Sequence, residues 1–280
     1  REKHADEGVK LSALLYANCT YIGGNYSEGS MVKAQEEELC RQCPGLFSSL
    51  INSPAGAASQ SRGQRLLCYN KHIFGAAAGD GYSKARNVMF VEEVSCLRSP
   101  FQMDYKLLWH PQNIVKSGFV VAAAPLFNRG FDHDFTQWRS RPEEWYEKLF
   151  LNVFWAPKAV DPSYDVIVVG PFGCGAFGND PTVVAQSFLN VIRKHNILSL
   201  YREVHFCLGR SLKHDMTAGG ACNRNVAAFR EALRGSYSED ADYTRDLQMK
   251  ADQWLQEEAQ YTQQVMSSLA RSQGSSHAVR

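Results

Sequence analysis

The sequence predicts an α/β protein: a sheet buried beneath helices on both faces, followed by a helical extension. Three observations predict this. Short, continuous apolar runs at residues 11–17, 118–124 and 165–169 have the length and character of strands covered on both sides. Segments of helical period alternate with them. Beyond Gly235 the pattern changes to apolar residues at helical spacing amid Gln, Glu and Asp. The expected organisation is one domain over residues 1–234 and a helical extension over 235–280.

Residues 11–17 read as a first buried strand, followed by a polar, glycine-rich turn through Gly29. A helix is expected from about Met31 to Cys43, with Pro44 ending that turn. Residues 52–65, rich in Ser, Gly and Ala, read as a surface loop. Val88 to Leu97 and Gly118 to Ala124 are the next strands. Pro142, Glu143 and Glu144 open a helix that carries Trp145, Leu149 and Val153 on one face. Asp165 to Val169 is a continuous apolar strand, and Asp180-Pro181 caps and opens a helix reaching Ile192. Val204 to Leu208 is a further strand and Asn223 to Leu233 a further helix. The extension, from Tyr243 to Leu269, places Leu247, Ala251, Trp254, Leu255, Val265 and Leu269 at helical spacing; most such helices dock on their own domain.

Composition narrows the function. A formal net charge of +1 gives no electrostatic footprint for nucleic acid, although a nucleotide-sized ligand needs only a few local donors. No apolar run approaches the length that crosses a bilayer. The chain opens on Arg1 without a secretory-leader pattern, as a piece of a longer protein would. Of eight cysteines, only Cys40 and Cys43 form a C-x-x-C, with no second pair at zinc-ribbon spacing. They read as structural thiols of a soluble protein in a reducing compartment, cytoplasmic or nuclear.

The most informative stretch runs from Val166 to Pro181. A buried strand enters a turn carrying Gly170, Gly173, Gly175 and Gly178, and a helix opens at Pro181. Glycines there let backbone N–H groups approach a ligand, and the helix N-terminus adds partial positive charge suited to a phosphate. The loop matches neither the nucleoside-triphosphate pattern nor G-x-G-x-x-G. Phe177, at the loop tip, is either a local plug or a stacking surface for a base or sugar, the second being preferred. Asn179 and Asp180 read as turn and cap residues.

The second stretch runs from Ala17 to Leu39. A strand feeds the Gly23-Gly24 turn, and Gln35, Glu36, Glu37 and Glu38 follow on a helix. Successive helix residues point about 100° apart, so one or two glutamates can face a pocket while another meets solvent. A charge run is usually a solvated face, but the glycine turn would let a ligand lie against this helix. A carboxylic acid beside a sugar can protonate the leaving oxygen of a glycosidic bond, and burial raises its pKa toward the working pH.

Together these stretches resemble the microbial-type poly(ADP-ribose) glycohydrolases of the macrodomain superfamily. That family carries a Gly-Gly-Gly turn, then Gln-Glu-Glu, and later a loop reading Gly-x-Trp/Phe-Gly-Cys-Gly-x-Phe-Gly-Asn-Asp-Pro. The loop matches from Gly170 to Pro181 almost residue by residue, and the resemblance spans roughly residues 11–232. It implies a three-layer α/β/α macrodomain with a mixed sheet, ADP-ribose in a cleft at the strand ends, and no metal or cofactor. By matched position Glu37 is the catalytic acid, and Glu36 beside it holds the ribose hydroxyls. The implied ligand-binding residues are Asn18, Gly23, Gly24, Asn25 and Gln35, then Gly173, Cys174, Gly175, Ala176, Phe177 and Gly178. Gly173 to Gly175 would cradle the diphosphate, and Phe177 would pack against the terminal ribose. Two departures stand out: Asn25 replaces the third glycine of the turn, and the gap from there to Gln35 is longer than usual.

The implied partner is ADP-ribose, an ADP-ribosylated protein or poly(ADP-ribose), with no membrane and no direct nucleic-acid contact. The alternative is a non-catalytic ADP-ribose reader. Asp132-His133-Asp134 reads as a solvated loop rather than a metal or acid–base site. The histidines show no H-x-x-x-H spacing, and no nucleophile elbow is present.

Overall fold

Side chains alternate strictly along the central strand, and this alternation builds two separate cores. In the computed structural model, β1 (Lys10–Ala17) sends Leu14 to one face, while Ala13, Leu15 and Ala17 go to the other. β3 (Val115–Ala123) repeats the pattern, with Val120 and Ala122 on the first face and Phe119, Val121 and Ala123 on the second. Both faces are therefore apolar, and both need a helical layer. The residues described are 8–18, 22–26, 34–52, 88–100, 104–125, 127, 142–208 and 221–234, with 253, 256–268 and 270–271. Residues 31–33 of the expected first helix, Gly29, residues 53–65 of the expected loop, the Asp132-His133-Asp134 triplet and residues 243–252 lie outside them.

The remaining strands are β2 (Met89–Cys96), β4 (Tyr164–Val169) and β5 (Glu203–Phe206), in the order β2-β3-β1-β4-β5. β1 runs parallel to β3 and β4, and β4 parallel to β5, whereas β2 is antiparallel to β3. One face carries α3 (Pro142–Val160), α4 (Pro181–Lys194) and α5 (Ala221–Leu233); the other carries α1 (Gln35–Gln42) and α2 (Pro44–Asn52). This is the three-layer α/β/α sandwich with a mixed sheet.

The expected strands and helices that fall on described residues are present, with shifted bounds: α1 starts at Gln35 rather than Met31, Asn52 belongs to α2 rather than to a loop, and β5 ends at Phe206 rather than Leu208. Pro44 does not end the helical region; it opens α2. A proline costs nothing at the first helical position, where its missing N–H has no partner to lose. α1 correspondingly closes at Gln42, with Cys43 as its cap. Trp145, Leu149 and Val153 are fully buried on one face of α3, as their spacing requires. Asp180 caps α4, its carboxylate accepting from the N–H groups of Thr182 and Val183.

In the C-terminal stretch, residues 256–268 are helical. Glu258 is buried there and accepts from Trp109 N at 2.5 Å, His110 N at 3.2 Å and Asn113 Nδ2 at 2.6 Å. It thereby joins this helix to the short 3₁₀ turn Pro111–Asn113 that leads into β3.

Beneath α3 and α4 the core is aromatic. The rings of Phe150 and Phe188 stack at 3.6 Å between centroids, and Phe188 also meets the rings of Phe154 and Phe206. Phe188→Ala is expected to lower unfolding stability by about 3–5 kcal/mol, the usual range for emptying a fully buried aromatic site. Denaturant titration measures this, and a loss below about 1 kcal/mol would contradict the packing described.

Candidate active site

The connections of β1 and β4 leave the sheet in opposite directions. β1 leads through α1, α2 and β2 to β3 on one side, and β4 leads through α4 to β5 on the other. Such a switch point opens a crevice outside the carboxyl ends of the two strands. Both informative stretches of the sequence emerge there: the turn and α1 after β1, and the glycine loop after β4.

β3 pairs with β1 over Ser12–Ala17, but β4 pairs with it only as far as Ala13. On the abandoned edge, the first turn of α1 replaces the missing strand. The Gln35 amide accepts from Tyr16 N at 2.6 Å and donates to Leu14 O at 3.0 Å. Glu36 continues the series, with Oε2 accepting from Asn18 N at 2.6 Å and Oε1 from Gly23 N at 2.7 Å. Glu37 Oε1 accepts from Asn25 N at 3.1 Å. Glu36 and Glu37 are 2% and 5% exposed, so the run is not a solvated face. Glu38 is half-buried as well and is bonded to Tyr105 and Arg41, so none of the three glutamates is fully solvated.

The turn is shaped to admit these carboxylates. Gly23 and Gly24 both have positive φ. A Cβ on Gly24 would strike the Glu37 carboxylate, and one on Gly23 would enter the Phe47 ring of α2. Asn25 does not have positive φ, so the departure from a third glycine leaves the turn unstrained.

The glycine loop is braced from within by Asn179, which is buried. Its amide nitrogen donates to Pro125 O at 2.7 Å and Gly173 O at 2.9 Å, and its oxygen accepts from the Tyr146 hydroxyl. Gly173, at positive φ, has no room for a Cβ beside Asn179 and Ala124, whereas Gly175 faces open space. Gly175, Ala176 and Gly178 are exposed, and among the described residues the N–H groups of Gly173, Gly175 and Phe177 have no hydrogen-bond partner. The Cys174 thiol turns inward and donates to Phe172 O, and burial pushes it up to about 12. Phe177 is half-buried against the core and its carbonyl accepts from Phe127 N, so it plugs the loop without being fully enclosed.

Tyr16 joins the two halves. Its backbone is bonded by Gln35, its ring meets Phe172 edge-on at 5.7 Å, and its hydroxyl fills the space a side chain at Gly170 would need. Burial pushes this phenol well above its ordinary range, so it stays neutral. Sequence reasoning missed Tyr16, Tyr105, Tyr146 and α2, because each acts through a contact distant along the chain. Among the described residues, no group of His, Cys, Asp and Glu is arranged to hold a metal ion.

Burial pushes the Glu36 carboxyl from its ordinary 4.5 up to about 8; the Asn18 and Gly23 N–H groups oppose the rise and the Glu37 charge adds to it. A raised carboxyl pKa means that the folded state holds a proton the unfolded chain has lost. Its contribution to stability is therefore present below 4.5 and disappears as pH rises to about 8. The gap in unfolding midpoint between the wild type and Glu36→Gln should narrow across that range. A gap that stays constant or widens would show that the carboxyl ionises normally.

No protein-family model matches the sequence, and no curated protein matches it. Solved structures do. The poly(ADP-ribose) glycohydrolase from Thermomonospora curvata superposes with a TM-score of 0.60 at 22% identity, over 83% of this chain and 71% of that one. The same enzyme bound to the inhibitor ADP-HPD gives 0.57 at 23% identity, over 82% and 73%. The Deinococcus radiodurans enzyme in complex with ADP-ribose gives 0.56 at 22%, over 83% and 77%. The chain therefore has the fold of these poly(ADP-ribose) glycohydrolases, a macrodomain-like α/β/α sandwich.

Proposed function

We propose that this chain hydrolyses the glycosidic bond at the ribose of ADP-ribosyl groups, carried on protein or in poly(ADP-ribose), with Glu37 as general acid. One observation carries the assignment. Of the four carboxylate oxygens of Glu36 and Glu37, three accept from backbone N–H groups and only Glu37 Oε2 is without a partner among the described residues. Glu36 is thus committed to shaping the turn, its remaining lone pairs serving the ribose hydroxyls. Glu37 keeps an oxygen for chemistry.

ADP-ribose would lie across the switch-point crevice, its diphosphate on the loop from Gly173 to Gly175 against the N–H groups of Gly173 and Gly175, and its terminal ribose between Phe177 and the turn from Gly23 to Asn25. Exposed N–H groups of consecutive glycine-rich residues form an anion cradle of this kind. Solved structures with this fold hold ADP-ribose or ADP-HPD, which supports the choice of ligand. Protonated Glu37 Oε2 gives its proton to the departing oxygen as the ribose carbon takes on oxocarbenium character. Water then adds to that carbon and returns a proton to Glu37, restoring the starting state.

ADP-ribose release from mono- and poly-ADP-ribosylated protein, measured for the wild type and Glu37→Gln beside calorimetric binding of ADP-ribose, tests this reading. The variant is expected to lose about 10²–10⁴-fold in turnover, the usual worth of a positioned acid, while still binding ADP-ribose. Binding without turnover by the wild type would identify a reader module instead, and absence of binding would defeat both readings.

A further inference from the structure

Glu38 is the member of the acidic run that the proposed chemistry leaves unused, yet it has its own partners. Its Oε1 accepts a hydrogen bond from the Tyr105 hydroxyl and pairs with Arg41 Nη1 at 3.2 Å. The Arg41 guanidinium also lies 5.9 Å from the centre of the Tyr105 ring. Tyr105 is delivered by a costly turn: Asp104 and Tyr105 have φ of 57° and 51°, two successive non-glycine residues in the left-handed region.

That turn leads into one arm of a small antiparallel hairpin, residues 104–108 against 97–100, with Arg98 bridged to Leu107 and Ser99 N donating to Lys106 O at 2.9 Å. Arg98 Nη1 holds the Tyr105 carbonyl at 3.3 Å. The base of the hairpin grips the other end of α1, where Leu97 N and Arg98 N donate to Gln42 O at 2.9 and 3.1 Å. One hairpin thus touches α1 at both its first turn and its last.

Helix geometry gives this grip a consequence. Glu36 and Glu38 project about 200° apart around α1, and Glu37 projects between them. Glu36 is tied to the turn after β1, and Glu38 is tied to the hairpin on the other side. A helix with its side chains has a radius of roughly 5–6 Å, so a rotation of about 10° moves a carboxylate by about 1 Å. A displacement of that size costs on the order of a hundredfold in rate.

We propose that Tyr105 and Glu38 are positioning residues: the paired segments 97–100 and 104–108 fix the rotation of α1 through their hydrogen bond and so aim the Glu37 carboxylate. The proposal rests on the glycohydrolase reading above. Neither residue touches the substrate.

The test uses the full chain and the variants Tyr105→Phe, Glu38→Ala, Glu38→Gln and the Tyr105→Phe/Glu38→Ala pair. Steady-state ADP-ribose release is measured beside calorimetric ADP-ribose binding. Tyr105→Phe should lower kcat by about tenfold or more, leaving KM and ADP-ribose affinity within about twofold. Glu38→Ala, which also gives up the Arg41 ion pair, should lose at least as much, and adding Tyr105→Phe to it should cost little more, because the Tyr105–Glu38 hydrogen bond is already gone. Glu38→Gln, whose amide oxygen still accepts the phenol hydrogen, should recover most of the turnover. An unchanged kcat for Tyr105→Phe, additive losses in the pair, or a loss expressed in KM would each overturn the proposal. Hydrogen exchange at the amides of residues 35–38 separates the two readings if the wild type proves inert. In that case the glycohydrolase reading has failed by itself. Accelerated exchange in both Tyr105→Phe and Glu38→Ala then upholds the clamp, and unchanged exchange refutes it.

Discussion

β1 keeps both of its parallel neighbours only as far as Ala13, and the site follows from how the chain deals with that loss. Past this point the backbone groups of Leu14, Tyr16 and Asn18 on one edge have no strand to bond. Leaving such groups unpaired in a partly buried place costs about 1–3 kcal/mol each. The first turn of α1 supplies the missing partners through Gln35 and Glu36. The helix is therefore located by the sheet's own hydrogen-bond requirements, and Glu37 inherits that location.

The two sides of the crevice solve opposite problems. After β1, side-chain acceptors are brought to backbone donors, which concentrates carboxylates and buries them. After β4, one buried side chain, Asn179, braces the loop from behind, and the N–H groups of Gly173, Gly175 and Phe177 are left without a partner among the described residues. A ligand that is anionic at one end and carries a protonatable leaving group at the other would be oriented by this asymmetry alone. Tyr16 contacts both sides, through its backbone on one and its ring on the other.

The two loops differ in how much substitution their packing allows. The loop from Gly170 to Pro181 cannot vary freely, because Gly173 is packed too tightly for a side chain and Asn179 already uses both ends of its amide. The turn after β1 is looser. Gly23 and Gly24 are required by positive φ and by close approach, whereas Asn25 adopts an ordinary conformation and can carry a side chain.

The sequence by itself determined the class of fold, the strands at residues 11–17 and 165–169, the Asp180 cap and the glycine loop. Each is written in local period, turn chemistry or residue spacing, which need no distant partner. It also marked Glu36 and Glu37, although a charge run by itself could not be told from a solvated face. Only the tertiary structure decided that these carboxylates are buried, that Glu36 is spent on two N–H groups while Glu37 keeps an oxygen, and that Glu38 bonds to Tyr105. It decided as well that Pro44 opens a helix whose Phe47 covers Gly23. The physical reason is the same in each case. Burial and hydrogen-bond partnership depend on residues far apart in sequence, Glu38 and Tyr105 being 67 positions apart, and no local pattern records which of them the fold brings together.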